Sequence, residues 1–191
     1  MKKAFILVSI FLLTITAAFA LSKPRWDVRP IKVYIPSGSY NSQLMKRAFE
    51  HWQTGTYSAV WFTFIGENKK NEADITVNFV EKDTKCGNIS AIGCTHARTN
   101  GEGFYTHVDL YIASKAVMQL VGDDGTVATK TTPISAPHLY RVMLHEIGHA
   151  VGINQHSNNP NSIMYKYSLT DVNIPQNLTD EDLKFVYKVY R

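Results

Sequence analysis

Apolar and polar residues alternate through Ile31, Val33 and Ile35, a period of two that predicts a half-buried strand. The period then changes. From Asn41 to Gln53, Leu44, Met45, Ala48, Phe49 and Trp52 fall at helical spacing and make one apolar face. His51 lies off that face and reads as a surface residue. Ala59–Ile65 is aromatic and β-branched, and Asp74–Val80 places Ile75, Val77 and Phe79 on one side; both predict strands, joined by a polar loop. Ile89–Ala97 reads as a short strand behind two cysteines, and Phe104–Ile112 alternates as another. Ala113–Thr132 is polar and carries Gly122-Asp123-Asp124-Gly125. It predicts an exposed loop with a short helical turn near Ala116–Val121. A helix starts at Ser135 or Pro137 and buries Leu144, Ile147 and Val151. Residues 157–177 look irregular. A last helix covers Thr179–Tyr190, with Thr179 and Asp182 forming a capping box and Leu183, Val186, Tyr187 and Tyr190 its apolar stripe. The order predicts one α+β domain with a twisted sheet and few helices.

The chain has 191 residues. Residues 1–20 carry Lys2 and Lys3, then an apolar run, then Ala18-Phe19-Ala20, the pattern of a secretory signal peptide. The expected domain is therefore 21–191, secreted, or periplasmic in a Gram-negative cell. No later stretch is apolar and long enough to span a membrane. The net charge is +4, and without the leader lysines it falls to about +2. That is too small to argue for nucleic acid or an anionic membrane as partner. A monomer acting on protein or peptide is the expectation for a secreted enzyme of this size. In an exported chain, Cys86 and Cys94 read as a disulfide closing a small loop, with free thiols or a metal contact as alternatives.

The chemistry is concentrated in residues 145–156, HEIGHAVGINQH. His145 and His149 are four apart, so on a helix both imidazoles leave one face, the spacing that grips one zinc ion. Glu146 sits beside the metal, aimed past it, where it can take a proton from a water on the metal. Gly152 can end the helix, and the turn can return His156 as a third ligand. Three ligands leave a fourth position open, as catalysis requires.

These residues, with Met164 in SIMY, resemble the metzincin metallopeptidases, whose pattern is HExxHxxGxxH followed by a Met-turn. Within that clan the chain most resembles the matrixins, the matrix-metalloprotease-like enzymes of the extracellular matrix. KPRW at 23–26, EADITVNFV at 72–80, NSIMYKY at 161–167 and LTDEDLKFVYKVY at 178–190 carry the likeness in order. One residue departs: the family's third histidine position holds Gln155, and His156 follows one later. Counted back from Met164, His156 has the family's separation, so a one-residue insertion is expected and His156 is the ligand. Lys166 stands where astacin-like and serralysin-like enzymes carry a zinc-binding Tyr, which also favours matrixins.

The resemblance implies a mixed sheet, an active-site helix, a Met-turn with Met164 under the metal, and a C-terminal helix. It implies a zinc endopeptidase with Glu146 as base, and a substrate laid along an edge strand near Ile89–Ala97. It also implies that the loop with Tyr167 borders a side-chain pocket. His96 and His107 match two positions of a second, structural zinc in animal matrixins. Asp109, Asp123 and Asp124 offer hard oxygen ligands for calcium. Asp27 in the lead-in is a carboxylate that could cap the zinc. The competing readings are a metzincin of another subfamily and a non-catalytic zinc- or peptide-binding module of the same fold.

Overall fold

The computed structural model describes residues 24–190 apart from 83, 88, 89, 122, 124 and 167–173. The expected signal peptide, Asp124 and Tyr167 lie outside the described residues. The elements run β1 (Ile31–Tyr34), α1 (Tyr40–Gly55), β2 (Phe62–Ile65), β3 (Ile75–Val80), β4 (Gly93–Thr99), β5 (Tyr105–Ala113), β6 (Lys115–Val121), β7 (Val127–Pro133), α2 (Ala136–Ala150) and α3 (Asp180–Tyr190). The polar stretch between β2 and β3 winds into a short 3₁₀ helix, Glu67–Glu72.

Five strands form one sheet in the order β2-β1-β3-β5-β4. β1 pairs parallel with β2 and β3, and β3 pairs parallel with β5. β4 runs antiparallel to β5 and forms the edge. The alternation seen in the sequence has its cause here. Ile31, Val33, Ile75, Val77, Val108, Leu110 and Ile112 all join one core cluster with the apolar faces of α1 and α2. Their polar neighbours in sequence point to the other face of the sheet.

α1 begins at Ser39, whose hydroxyl accepts from the Ser42 N–H at 3.1 Å. The helix braces α2: Trp52, fully buried, donates from Nε1 to the Leu144 carbonyl at 2.9 Å. His51 is half-buried, not a surface residue, and its Nδ1 lies 3.1 Å from the Tyr140 hydroxyl. Tyr140 comes from α2, a partner that α1's own period cannot reveal. The capping box at the start of α3 forms as expected. Asp182 N–H donates to Thr179 Oγ at 3.3 Å, and Thr179 N–H donates back to Asp182 Oδ2 at 2.8 Å.

The main correction concerns residues 113–132. They form a β-hairpin, β6 against β7, with Val121 opposite Val127 across the turn. The helical turn near Ala116–Val121 is absent. Only the base is covered: Ala116 and Val117 are buried, whereas Met118, Leu120 and Val127 are exposed. With neither face packed on the core, no period of two was selected. The usable signals were the Gly-Asp-Asp-Gly sequence and the β-branched run Val127, Thr129, Thr131, Thr132.

Asp27 is corrected as well. The segment around it is held against the C-terminal ends of α2 and α3, where Trp26 Nε1 donates to Ala150 O at 2.8 Å and Trp26 N–H to the Tyr190 hydroxyl at 3.2 Å. Asp27 is exposed there beside Lys188 and Tyr190, and it does not line the cavity that His145 and His156 border.

Candidate metal centre

α2 carries the centre because its sequence is helical on all counts. Ser135 stands at the N-cap position, Pro137 sits in the first turn, and Leu139, Val142, Met143 and Ile147 are buried. It stops at Val151. Gly152 adopts φ +105°, and a Cβ there would strike the Pro24 carbonyl, so both backbone and space exclude other residues. Ile153 N–H donates back to Gly148 O at 3.0 Å, closing the helix end. The reversal returns the chain to the face that His145 and His149 share.

His145 Nδ1 lies 2.8 Å from the Ile163 carbonyl and His149 Nδ1 lies 2.5 Å from the Ile153 carbonyl. Carbonyls only accept, so each Nδ1 carries a hydrogen and each Nε2 presents a lone pair. The two Nε2 atoms face each other at 3.1 Å. Two facing lone pairs repel unless a cation lies between them. Zinc–imidazole bonds at tetrahedral angles place two ligand nitrogens about 3.3 Å apart. The donor set, tautomers and spacing therefore fit zinc.

His156 completes the set. It is exposed, with its ring 5.1 Å from that of His145 and 5.2 Å from that of His149. One ligand nitrogen from each of the three lies within 4.8 Å of the others. Gln155, one residue earlier, is exposed. Burial pushes His145 down to about 3, and it also lowers His149 and His156, a shift that favours the neutral, ligating form.

Glu146 is only 6% exposed. Burial pushes its carboxyl up to about 7, and the Thr95 hydroxyl, donating to Oε2 at 2.6 Å, draws it back. Met164, 2% exposed, lies against Gly148, where a Cβ would collide with its sulfur. Met164 is thus a floor under the helix, and Gly148 is the residue that admits it. The turn is held from α3. Buried Asp182 accepts from Ser162 Oγ at 2.6 Å and from Ile163 N–H at 3.1 Å. Buried Arg141 donates to the Ser162 and Tyr165 carbonyls at 3.0 and 3.1 Å.

A cavity of about 250 Å³ opens beside the histidines. Residues 90–93 form one wall, α2 gives Arg141, Val142, His145 and Glu146, and His156 and Lys166 close the other side. The edge strand β4 begins at Gly93, at the end of that wall.

The family model described as Matrixin matches residues 26–191. The chain belongs to the matrixin family. Matrix metalloproteinase-15 of Homo sapiens is 28% identical over 187 residues, 90% of this matrixin and 26% of that protein. Matrix metalloproteinase-16 of Rattus norvegicus is 28% identical over 190 residues, covering 90% and 28%. The matrixin thus spans about a quarter of the length of the curated relatives it matches. Among the described residues, no helix is long and apolar enough to cross a membrane.

The remaining expectations fare differently. Cys86 and Cys94 are disulfide-bonded. Their sulfurs and a His96 nitrogen lie within 4.8 Å of one another, but sulfurs joined in a disulfide are not the thiolates a metal needs. His107 is not in that group. Its Nδ1 faces the Ala73 carbonyl at 3.1 Å and its Nε2 lies 3.4 Å from Asp109 Oδ1. Among the described residues, no group of three ligating side chains contains both His96 and His107, which sit on the paired strands β4 and β5. Calcium finds no support either. Asp109 is paired with Arg98 at 3.2 Å, and neither metal-competent group among the described residues contains an aspartate.

The disulfide closes the loop that supplies the cavity wall. In the chain-entropy model a loop of this size contributes about 2–3 kcal/mol. Cys86→Ser with Cys94→Ser is expected to lower the melting temperature by roughly 5–10 °C. Thermal melts of the variant and of reduced wild type check this; unchanged melting under both conditions contradicts it.

Proposed function

We propose that this matrixin is an exported zinc-dependent endopeptidase, with residues 21–191 as its catalytic domain. The observation that carries the reading is the pair of facing Nε2 lone pairs with a buried carboxylate on the next residue. His145, His149 and His156 would hold the ion. Zinc bound there supplies a Lewis acid that polarises the scissile carbonyl and acidifies water.

The protein's own groups do the rest. The Ile163 and Ile153 carbonyls fix the tautomers of His145 and His149 and orient their rings. Glu146 accepts the proton of the attacking water and passes it to the departing amine. The free edge of β4 offers main-chain hydrogen bonds to an extended substrate, and the cavity beside Glu146 receives a side chain. The leader pattern at residues 1–20, two lysines and then an apolar run ending Ala18-Phe19-Ala20, supports export.

Glu146 also weighs against a binding module of the same fold. A carboxylate buried at 6% exposure costs stability, and ligation by the three histidines does not use it. Incubation of the purified protein with denatured casein tests the reading. Fragments cut at internal bonds are expected, and a metal chelator is expected to stop them. Intact casein after zinc loading contradicts the proposal.

A further inference from the structure

Gly93 and Thr95 are two apart on β4, so both face α2. Each meets the same side chain. Thr95 Oγ lies 2.6 Å from Glu146 Oε2 and 3.1 Å from the Glu146 main-chain oxygen. A Cβ on Gly93 would lie 2.5 Å from Glu146 Oε1, 2.8 Å from Glu146 Cγ and 2.6 Å from Val142 Cγ1. Gly93 is not among the glycines with positive φ. Its backbone would accept any residue; what excludes a side chain is the space that Glu146 and Val142 occupy.

We infer that β4 positions the base: Thr95 clamps one carboxylate oxygen, and Gly93 leaves room for the other. The inference rests on reading Glu146 as the base that takes the water's proton. A free glutamate side chain turns about three bonds, and a base must stay within hydrogen-bond reach of its proton. With Oε2 held by Thr95, Oε1 is the oxygen left to receive the proton. Once Oε1 is protonated, Oε2 still accepts from Thr95, so the clamp holds through the transfer. Thr95 is a positioning residue; it acts on the reaction through Glu146. The disulfide adds to this, because Cys94 lies between the two and anchors the strand from its other face.

The test uses the zinc-loaded protein. Thr95→Val keeps the shape and removes the donor; Thr95→Ser keeps the donor. Thr95→Val is expected to lower kcat about tenfold or more, the cost of a lost hydrogen bond to a charged group, with KM within about twofold and zinc content unchanged. Thr95→Ser is expected to recover kcat to within about threefold of wild type. Gly93→Ala is expected to lower kcat in the same way. A second readout uses no activity. In metal-free protein, Thr95→Val lowers the melting temperature, and it does so by less in a Glu146→Leu background, which keeps only the main-chain acceptor. Wild-type kcat in Thr95→Val, no rescue by Thr95→Ser, or equal melting losses in both backgrounds would overturn the inference. If zinc-loaded wild type does not cleave at all, the reading of Glu146 as base fails instead, and the melting pair alone decides the clamp.

Discussion

Replacing Glu146 by Gln is expected to cut kcat/KM by about 10²–10⁴-fold while the zinc content stays unchanged, the range that general-base catalysis supplies. Gln keeps the volume of the buried side chain, and its amide oxygen can still accept from Thr95, so the fold and the Thr95 contact survive. What disappears is the ability to accept a proton. The three imidazoles are untouched, because Glu146 is not among the residues whose ligand atoms converge. Zinc analysis together with initial rates on casein separates the two effects. A variant that loses zinc along with activity would make Glu146 structural, and one that retains activity would remove it from the mechanism.

The second large effect concerns the third ligand. His156→Ala is expected to weaken zinc binding by more than the roughly 10–100-fold that changes in outer-shell partners cost. Gln155→Ala is expected to bind zinc as wild type does. The His156 ring comes within 5.1–5.2 Å of both other rings, and the left-handed turn at Gly152 is what returns it there. Competition with a chromogenic chelator measures both variants. Equal affinity of His156→Ala and wild type, or a loss confined to Gln155→Ala, would place the ligand one residue earlier.

What could be read from the sequence divides along a physical line. The His145–His149 pair was legible because ligation from one helix depends only on local spacing. The register of His156 was legible only through the resemblance, because its separation from Met164 is the one the family pattern carries. β1, β3 and β5 were legible because one face of each is buried in the common core. The β6–β7 hairpin was missed because burial selects no alternation in a ribbon exposed on both faces.

The supports of the centre were missed for another reason. Thr95 meets Glu146 across 51 residues, Asp182 meets Ser162 across 20, and Arg141 meets the Ser162 carbonyl across 21. No local pattern announces such partners. Asp182 could be seen as half of a capping box, yet its bonds to the Met-turn could not. Gly148 and Gly93 are blank in any periodicity, and their role is visible only as the space that Met164 and Glu146 fill.

The central claim is that three imidazoles hold one zinc ion on which hydrolysis depends, and zinc titration of the metal-free protein tests it most directly. Casein cleavage is followed at each addition. The expected result is activity that rises with zinc and levels off at about one equivalent per chain, as three ligands and one open position require. Cleavage at full rate before any zinc is added, or a protein that binds zinc at neither His145, His149 nor His156, would contradict it.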